Sequence, residues 1–446
     1  MAEAAQSGSQ RESDRWSLPH RIVFRFFFCL FVLYRFPYPI SIIPKLGPVL
    51  ADPYINRWND GVTWVGAHVL HLTQPIAEAS NGSGDRLFSW VEYGCFLSYS
   101  LLLTALWSVL DRKRPHYRTL HRWLMILVRF QLAQVMLGYG FTKVIKNQFP
   151  DPAPAKLLER VGDLSPMGLL WTFMGYSTSY TFFAGAGEVL GGLLLFFRRT
   201  TTLGALVIIG VMSNVVMLNF SYDVPVKLFS SHLLLMALYL VAPDARRLAD
   251  VLVFNRSTSG ADLRPPYRAK GLLVGGYLLK LAMLCLVVSG PVMGNFFSHQ
   301  AIARQLAAHF NGVWTVQRFL RDGVEAPPLE TDAGRWKSLA ISWGKALQLR
   351  TMDDAIQSFG LNEEASSRLW TLTSYGKQPS LKLTYAEQDP AKLEFDPTQA
   401  TAAADLTLEG TIDGAAVRIE LRREDPSSFL LLSRGFHWVN EFPFNR

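Results

Sequence analysis

The sequence predicts an α-helical polytopic membrane protein of about seven transmembrane helices, followed by a C-terminal, mainly antiparallel β domain. Three observations lead there. Seven stretches within residues 20–292 are long and apolar enough to cross a bilayer, and the Lys/Arg-rich loops between them fall on alternate sides. Beyond about residue 335 the apolar period changes to two, the period of strands.

Residues 1–20 are polar and lack an apolar h-region, which predicts a cytoplasmic tail and not a cleaved signal peptide. A helix needs about 20 apolar residues to cross roughly 30 Å of hydrocarbon. The stretches that qualify are 21–43, 87–109, 123–143, 176–197, 201–220, 227–242 and 270–292. The sixth is short, and the first carries Arg25, Arg35 and two prolines, so these two fit the rule least well.

Orientation follows from the loops. One side carries Arg11, Arg15 and Arg21, then Arg112, Lys113, Arg114, Arg118 and Arg122. The same side takes Arg198, Arg199, Arg246, Arg247, Arg256, Arg264 and Arg268. The opposite loops hold Lys45, Arg57, Lys146, Lys156 and Arg160, diluted by acids. The positive-inside rule puts the N-terminus in the cytoplasm and the C-terminal domain outside, in a bacterial inner membrane. The net charge of +8 therefore reads as membrane topology and excludes nucleic acid as a partner. Cys29, Cys95 and Cys285 lie singly in three spans, without the spacing of a redox CxxC or a metal knuckle.

Two long connections, 44–86 and 144–175, lie on the outer side. The first contains an amphipathic piece, Trp58 to Ile76, with Trp64, His68 and His71; the second contains FPDPAPAKLLERVG and SPMGLLWTFMGYS. Both read as interfacial or re-entrant helices with Trp anchors, either packed at the interface or forming a lid.

An ionisable residue within a span usually faces the protein interior. Arg129, Glu188 and Lys280 qualify, accompanied by Gln131, Gln134, Asn214, Asn219, Asp223 and His232. At 1.5 Å per residue, Arg129 and Glu188 lie roughly 9 and 13 Å above the inner edges of their helices. At those depths they could meet as a bidentate pair. Arg129, Met136 and Lys143 share a face at heptad spacing, and Asn219 and Asp223 would share one if their helix continues. Tyr139, Lys143, Lys227 and His232 lie in the outer half.

These depths predict a polar pocket opening outward. Glu188 and Arg129 are its candidate catalytic residues. Lys143, Gln134, Tyr139, Asn214, Asn219, Asp223 and His232 are candidate ligand-binding residues, and no metal is expected. A buried Arg129–Glu188 pair that only holds two helices in register fits the same pattern. Gly187 and Gly191, in a GxxxG arrangement, predict close helix packing.

Residues 123–247 carry RFQLAQVMLGYGFTKVI, an outer connection, then AGAGEVLGGLLLFFRRTTTLGALVIIGVMSN and the basic VAPDARRL. This stretch resembles the DoxX family of small four-helix membrane proteins, with Arg129, Lys143 and Glu188 where that pattern has polar residues in its spans. The resemblance implies a four-helix bundle core and a role in membrane-bound oxidoreduction, with a quinone as candidate cofactor. The chain carries no haem, flavin or iron–sulfur motif, so electrons would need a redox partner subunit or a bound quinone. Extra spans at both ends and the C-terminal domain depart from the family's minimal pattern.

Residues 293–446 form the outer domain, mostly β from about 335. A helical pattern (SHQAIARQLAAHF) precedes a Pro-containing break at Ala326–Leu329. WKSLAISW, KALQLRT, RLWTLTSY, SLKLTYAE, KLEFD, DLTLEGTI, AVRIELRR and SFLLLSRG then alternate apolar with polar, with turn signals at YGKQPS, DPTQ and Asp413-Gly414. They predict an antiparallel meander, a small sandwich or an open barrel. The closing GFHWVNEFPFNR is expected to plug or cover one end, and a similar ending belongs to larger DoxX-like chains. Its His437, Trp438 and Glu441 supply neither a metal-ligand pair nor a nucleophile–base–acid set.

Two functional expectations result. One is a membrane-embedded component of a redox-associated, quinone-linked system, at most an oxidoreductase subunit. The other is a non-enzymatic lipid- or envelope-component binding, transport or assembly protein that uses the β domain as its binding module.

Overall fold

Residues 15–37, 45–73, 76, 82–260, 269–306, 308–375, 380–387 and 405–444 are described by a computed structural model. Arg11, Arg264, Arg268, residues 38–43 of the first expected span, most of the YGKQPS turn, and the KLEFD run with its DPTQ turn lie outside the described residues. The chain divides into two units: residues 1–141 with 183–291, and residues 142–182 with 292–446.

The first unit is helical. It holds α1 (Leu18–Arg35), α2 (Leu46–His68), α3 (Leu87–Leu110) and most of α4 (Arg118–Val144). In the second unit follow α5 (Pro154–Leu158) and α6 (Pro166–Tyr176). Then come α7 (Thr178–Leu195), α8 (Thr201–Ser221), α9 (Lys227–Val241), α10 (Ala245–Leu252) and α11 (Lys270–Leu306); the division between units runs through α4, α7 and α11.

Among the described residues, five helices are long and apolar enough to cross a membrane: α3, α4, α8, the α9–α10 run Lys227–Leu252, and α11. The short sixth expected span is lengthened by a 3₁₀ turn at Ala242–Asp244 that carries the helix on. The expected spans 21–43 and 176–197 appear as helices of 18 residues each. At 1.5 Å per residue these reach about 27 Å, just under the hydrocarbon thickness.

The core of this unit is a stripe at helical spacing. Leu124, Val128, Leu132 and Met136 of α4 are buried together with Ile208 and Met212 of α8 and Met236 and Leu240 of α9. Glycines let backbones touch. A Cβ on Gly140 would stand 2.9 Å from the Val189 nitrogen and 3.0 Å from the Gly185 oxygen, and one on Gly192 would stand 3.2 Å from the Ala133 oxygen. Gly187 and Gly191 instead receive side chains, a Cβ there standing 3.1 Å from Val211 Cγ2 and 2.5 Å from Ile208 Cγ1, so the GxxxG glycines serve the α7–α8 packing. By contrast, the first part of α11 exposes Leu272, Val274, Tyr277 and Leu278, and the helix joins the core further on through buried Val287. A helical stretch apolar all round and uncovered by protein has hydrocarbon as its solvent.

The second unit is built on an antiparallel meander: β1 (Gly312–Arg321), β2 (Val324–Glu325), β3 (Trp336–Ser342), β4 (Ala346–Thr351), β5 (Ile356–Glu364), β6 (Leu369–Ser374), β7 (Leu381–Glu387), β8 (Leu406–Ile412) and β9 (Ala415–Arg423). Neighbours pair in the order β2-β1-β3-β4-β5-β6-β7-β8-β9, and β9 pairs back to β1 from Trp314↔Arg423 to Arg321↔Val417. The sheet is therefore a closed up-and-down barrel with β2 as an appendage, not a sandwich or an open barrel. Closure removes the exposed edges. Asp413 and Gly414 both take positive φ (50° and 83°) in the two-residue turn between β8 and β9, the geometry this hairpin requires.

Strand structure begins at 312, not at about 335. In β1 the register shifts between Val316 and Arg318, and this bulge breaks the period-two alternation that would reveal the strand. SFLLLSRG is not a strand: Pro426–Ser428 form a 3₁₀ turn and Leu430–Ser433 a short helix, α12. The interior is filled by large side chains, among them Trp314, Phe319, Phe359, Trp370 and Ile419. Phe310 caps them, 4.9 Å from the Trp370 ring. The aromatic tail does not plug the barrel: Phe436, Trp438 and Phe442 are exposed, and Arg434 bonds back to His437 and Asn440.

The connection 144–175 packs on this barrel. Arg350 donates to the Leu158 carbonyl at 2.6 Å, and Arg160 pairs with Asp354. Asp354 also accepts from Lys337 at 2.8 Å, and that bond, with Arg160 and Arg350 nearby, holds its carboxyl below the usual aspartate range.

Candidate functional site

Two polar regions lie at opposite ends of the helical unit, set by the antiparallel register of α4 and α7. Gly140 lies against Gly185 and Val189, and Gly192 against Ala133 and Leu137. Glu188 therefore stands level with residues 139–140, and Tyr139 is its electrostatic neighbour. Arg129 lies about ten residues further along α4, roughly 15 Å away along the helix axis. The expected Arg129–Glu188 pair does not form. Arg129 instead reaches Thr201 Oγ1 at 3.4 Å and lies over the Phe130 ring, with Arg198 in electrostatic range.

At the Glu188 end, helices α1, α3, α4 and α9 and the segment 82–84 border an open cavity of about 390 Å³. Tyr34, Glu92, Tyr93, Phe96, Tyr139 and Phe229 line it. Behind this lining His232 is almost fully buried. Its ring stacks on Tyr34 with centroids 3.7 Å apart, and its Nδ1 shares a 3.3 Å hydrogen bond with the Tyr93 hydroxyl. His232 Nε2 is buried without a hydrogen-bond partner. Trp58 of α2 donates its Nε1–H to Glu92 at 3.0 Å, which fixes that carboxylate at the wall.

Helix α9 is positioned by Asp85, whose carboxylate accepts from the Lys227 and Leu228 amides at 2.7 and 3.0 Å. An acid there satisfies two orphan donors and complements the helix dipole. Asn219 Nδ2 donates to Ser230 Oγ at 3.0 Å and ties α8 to α9.

The expected site residues separate accordingly. Tyr139 lines the cavity, His232 backs it, and buried Glu188 neighbours Tyr139. Asn219 is a helix tie. Asp223 does not share its face: α8 ends at Ser221, and Asp223 takes φ 51° in the turn, with an exposed side chain bonded to Lys227 at 2.8 Å. Asn214 is exposed on α8, and Gln134 is half-buried with its Oε1 unpartnered. Lys143 is buried near the end of α4, within the second unit.

Lys280 rests on the Phe197 ring, its Nζ 4.4 Å from the centroid, so it faces a neighbouring element. Sequence reasoning missed Tyr34, Tyr93 and Glu92. Glu92 carried a usable signal, as an acid within an apolar run; the tyrosines carried none, because an aromatic in a span is ordinary. Arg25 is fully buried too, but Ser108, Tyr117 and the Asp111 carbonyl satisfy its guanidinium, a structural clamp between α1 and the end of α3.

These features define a polytopic helical membrane protein that carries an up-and-down β barrel and an aromatic, histidine-backed cavity among its helices. No family model matches the chain, and no solved structure matches it. The uncharacterized protein YwoB of Bacillus subtilis (strain 168) is 34% identical over 123 residues, which cover 28% of this chain and 78% of YwoB. The chain belongs to the same family as YwoB.

Proposed function

We propose that the protein is a membrane-embedded component of a redox-associated, quinone-linked system, and that the aromatic cavity receives the quinone headgroup. The observation that carries this reading is the Tyr34–His232–Tyr93 constellation beside the cavity. Aromatic walls suit a planar ring, and Tyr93 and Tyr139 offer hydroxyls at the lining. The imidazole behind the lining reaches it through Nδ1, which shares the hydrogen bond with Tyr93, while its other nitrogen, Nε2, is buried without a partner. A bound quinone would supply a two-electron, two-proton couple. The chain's own part is to hold the ring, exclude water, and keep a proton at the Tyr93–His232 bond, with Glu188 as an acceptor next to Tyr139. Electrons would come from a redox partner subunit.

The DoxX resemblance over 123–247 supports the same reading. So does the barrel, whose filled interior disfavours the β domain as a receiver of lipid. In this reading α1 and α7 also cross, for seven spans in all, in a bacterial inner membrane. The N-terminus is cytoplasmic and the barrel lies outside.

The test is mass spectrometry of the small molecules retained after mild extraction of wild type, Tyr93→Phe and Glu188→Gln. The expected result is a quinone held by wild type and depleted in both variants. A wild-type protein that retains no quinone, with membrane redox activity unchanged on deletion, sinks the reading.

A further inference from the structure

The other end of the helical unit holds a larger cavity, about 800 Å³, which the quinone reading does not use. Its charge is one-sided. Among the described residues, Arg122, Arg129, Arg198, Arg199 and Arg247 line it, against one carboxylate, Asp244. That carboxylate is engaged, accepting from Arg247 and from Thr202 Oγ1 at 2.5 Å each.

Arg129 is the deepest of the five. It is only 8% exposed, it donates a long hydrogen bond to Thr201 Oγ1 at 3.4 Å, and its Nε is buried without a partner among the described residues. A guanidinium has five N–H donors in a fixed fork, and burying it without an anion is costly. Arg198 and Lys280 stand in electrostatic range and add charge of the same sign. The first residues of the 21-residue α8, Thr201 and Thr202, also line the cavity, which places the positive end of a helix dipole there; their hydroxyls are already engaged, Thr201 donating to the Phe197 carbonyl at 3.0 Å and Thr202 to Asp244.

Apart from His121 and Thr258, the remaining described lining is apolar. Met125 and Ile126 lie between Arg122 and Arg129 on one face of α4, opposite Leu203, Leu206 and Leu248. At the rim, α10 runs into Val251, Leu252, Val253 and Phe254, all exposed. Basic groups beside an uncovered apolar edge are the arrangement of a membrane interface.

We infer that this cavity binds a phosphate group carried by an amphiphile, with the phosphate in the arginine cluster on Arg129 and the acyl chain along the Met125–Leu206 wall. An anionic phospholipid of the surrounding leaflet has this chemistry; a soluble phosphate ester shares the phosphate but has no chain for the wall. Planar bidentate donors favour phosphate over a point charge.

The full-length protein, delipidated in detergent, would be titrated with phosphatidylglycerol, phosphatidylcholine and inorganic phosphate. Thermal midpoint and native mass spectrometry are the readouts. Phosphatidylglycerol is expected to be retained and to raise the midpoint, with phosphatidylcholine bound at least tenfold more weakly. Arg129→Gln should weaken phosphatidylglycerol retention at least tenfold. The rim variant Arg198→Gln/Arg199→Gln keeps the test decisive if the buried substitution fails to fold. Stabilisation by inorganic phosphate but not by the lipid overturns the amphiphile and leaves an anion site for a soluble phosphate ester. Equal retention of the two lipids without any phosphate effect, or phosphatidylglycerol held equally by wild type and the rim variant, overturns the inference.

Discussion

Tyr34 and His232 lie ring on ring, 3.7 Å between centroids and 22° between planes, although 198 positions separate them in the chain. The stack joins α1 to α9, and Tyr93 closes it from α3 through its bond to His232. Three helices thus meet at one imidazole.

Removing the Tyr93 hydroxyl should leave the stack in place and strip one hydrogen bond. Tyr93→Phe is expected to cost about 1 kcal/mol and to deplete bound quinone. Tyr34→Ala, which also opens a cavity, should cost about 3 kcal/mol or more. Thermal midpoints in detergent, read alongside quinone content, separate the two effects. Equal midpoints for both variants would refute the stacking role.

Gly140 and Gly138 are neighbours in the chain with opposite surroundings. A Cβ at 140 meets backbone atoms of α7 at 2.9 and 3.0 Å, whereas one at 138 meets nothing within 4 Å. Gly140→Ala should destabilise by about 1–3 kcal/mol through overpacking. Gly138→Ala should be neutral or slightly stabilising, because alanine is the better helix former. Thermal denaturation of the pair in one detergent decides it.

Trp370 is completely buried at the centre of the barrel interior. Trp370→Ala is expected to cost about 3–5 kcal/mol, with loss of near-UV ellipticity and new proteolytic cleavage between strands. Trp438→Ala, in the exposed tail, should change neither.

The Asp354 carboxyl lies below the usual aspartate range because Lys337 donates to it, with Arg160 and Arg350 close by. A depressed folded-state pKa contributes stability that is complete above the unfolded value and is lost as pH falls through the folded one. Wild type should therefore lose more stability than Asp354→Asn as pH drops below about 4. Midpoints from pH 7 downward test this. Parallel curves for the two proteins would contradict it.

A reporter active only outside the cytoplasm should be silent when fused after Lys113 and active when fused after Asp425. The reverse pattern would invert the proposed orientation.

Much of this fold was legible because its signals are local. The apolar runs that became α3, α4, α8, α9 and α11 announce themselves by length, and the β3, β4, β6, β7, β8 and β9 alternations by period. What stayed hidden depends on partners distant in the chain. β1 was lost to its bulge, and barrel closure depends on a strand pairing over 109 residues. Depths of Arg129 and Glu188 counted from separate helix edges agree only if those edges are level. Instead, Arg198 approaches Arg129, and α7 slides by about two turns relative to that assumption. The cavity was half visible: Tyr139 and His232 were found by depth, while Tyr34 and Tyr93 have no polar excess in their spans to mark them.

The pairing of β9 with β1 has a consequence for how the domain is made. A ribosome emits β1 long before β9, and until the last strand arrives the others form an open sheet with two raw edges. Such an intermediate invites pairing with another chain. The domain therefore completes only after its final strand has been synthesised and delivered. A stop codon placed between Ile412 and Ala415 should yield an aggregating product, not a shortened barrel.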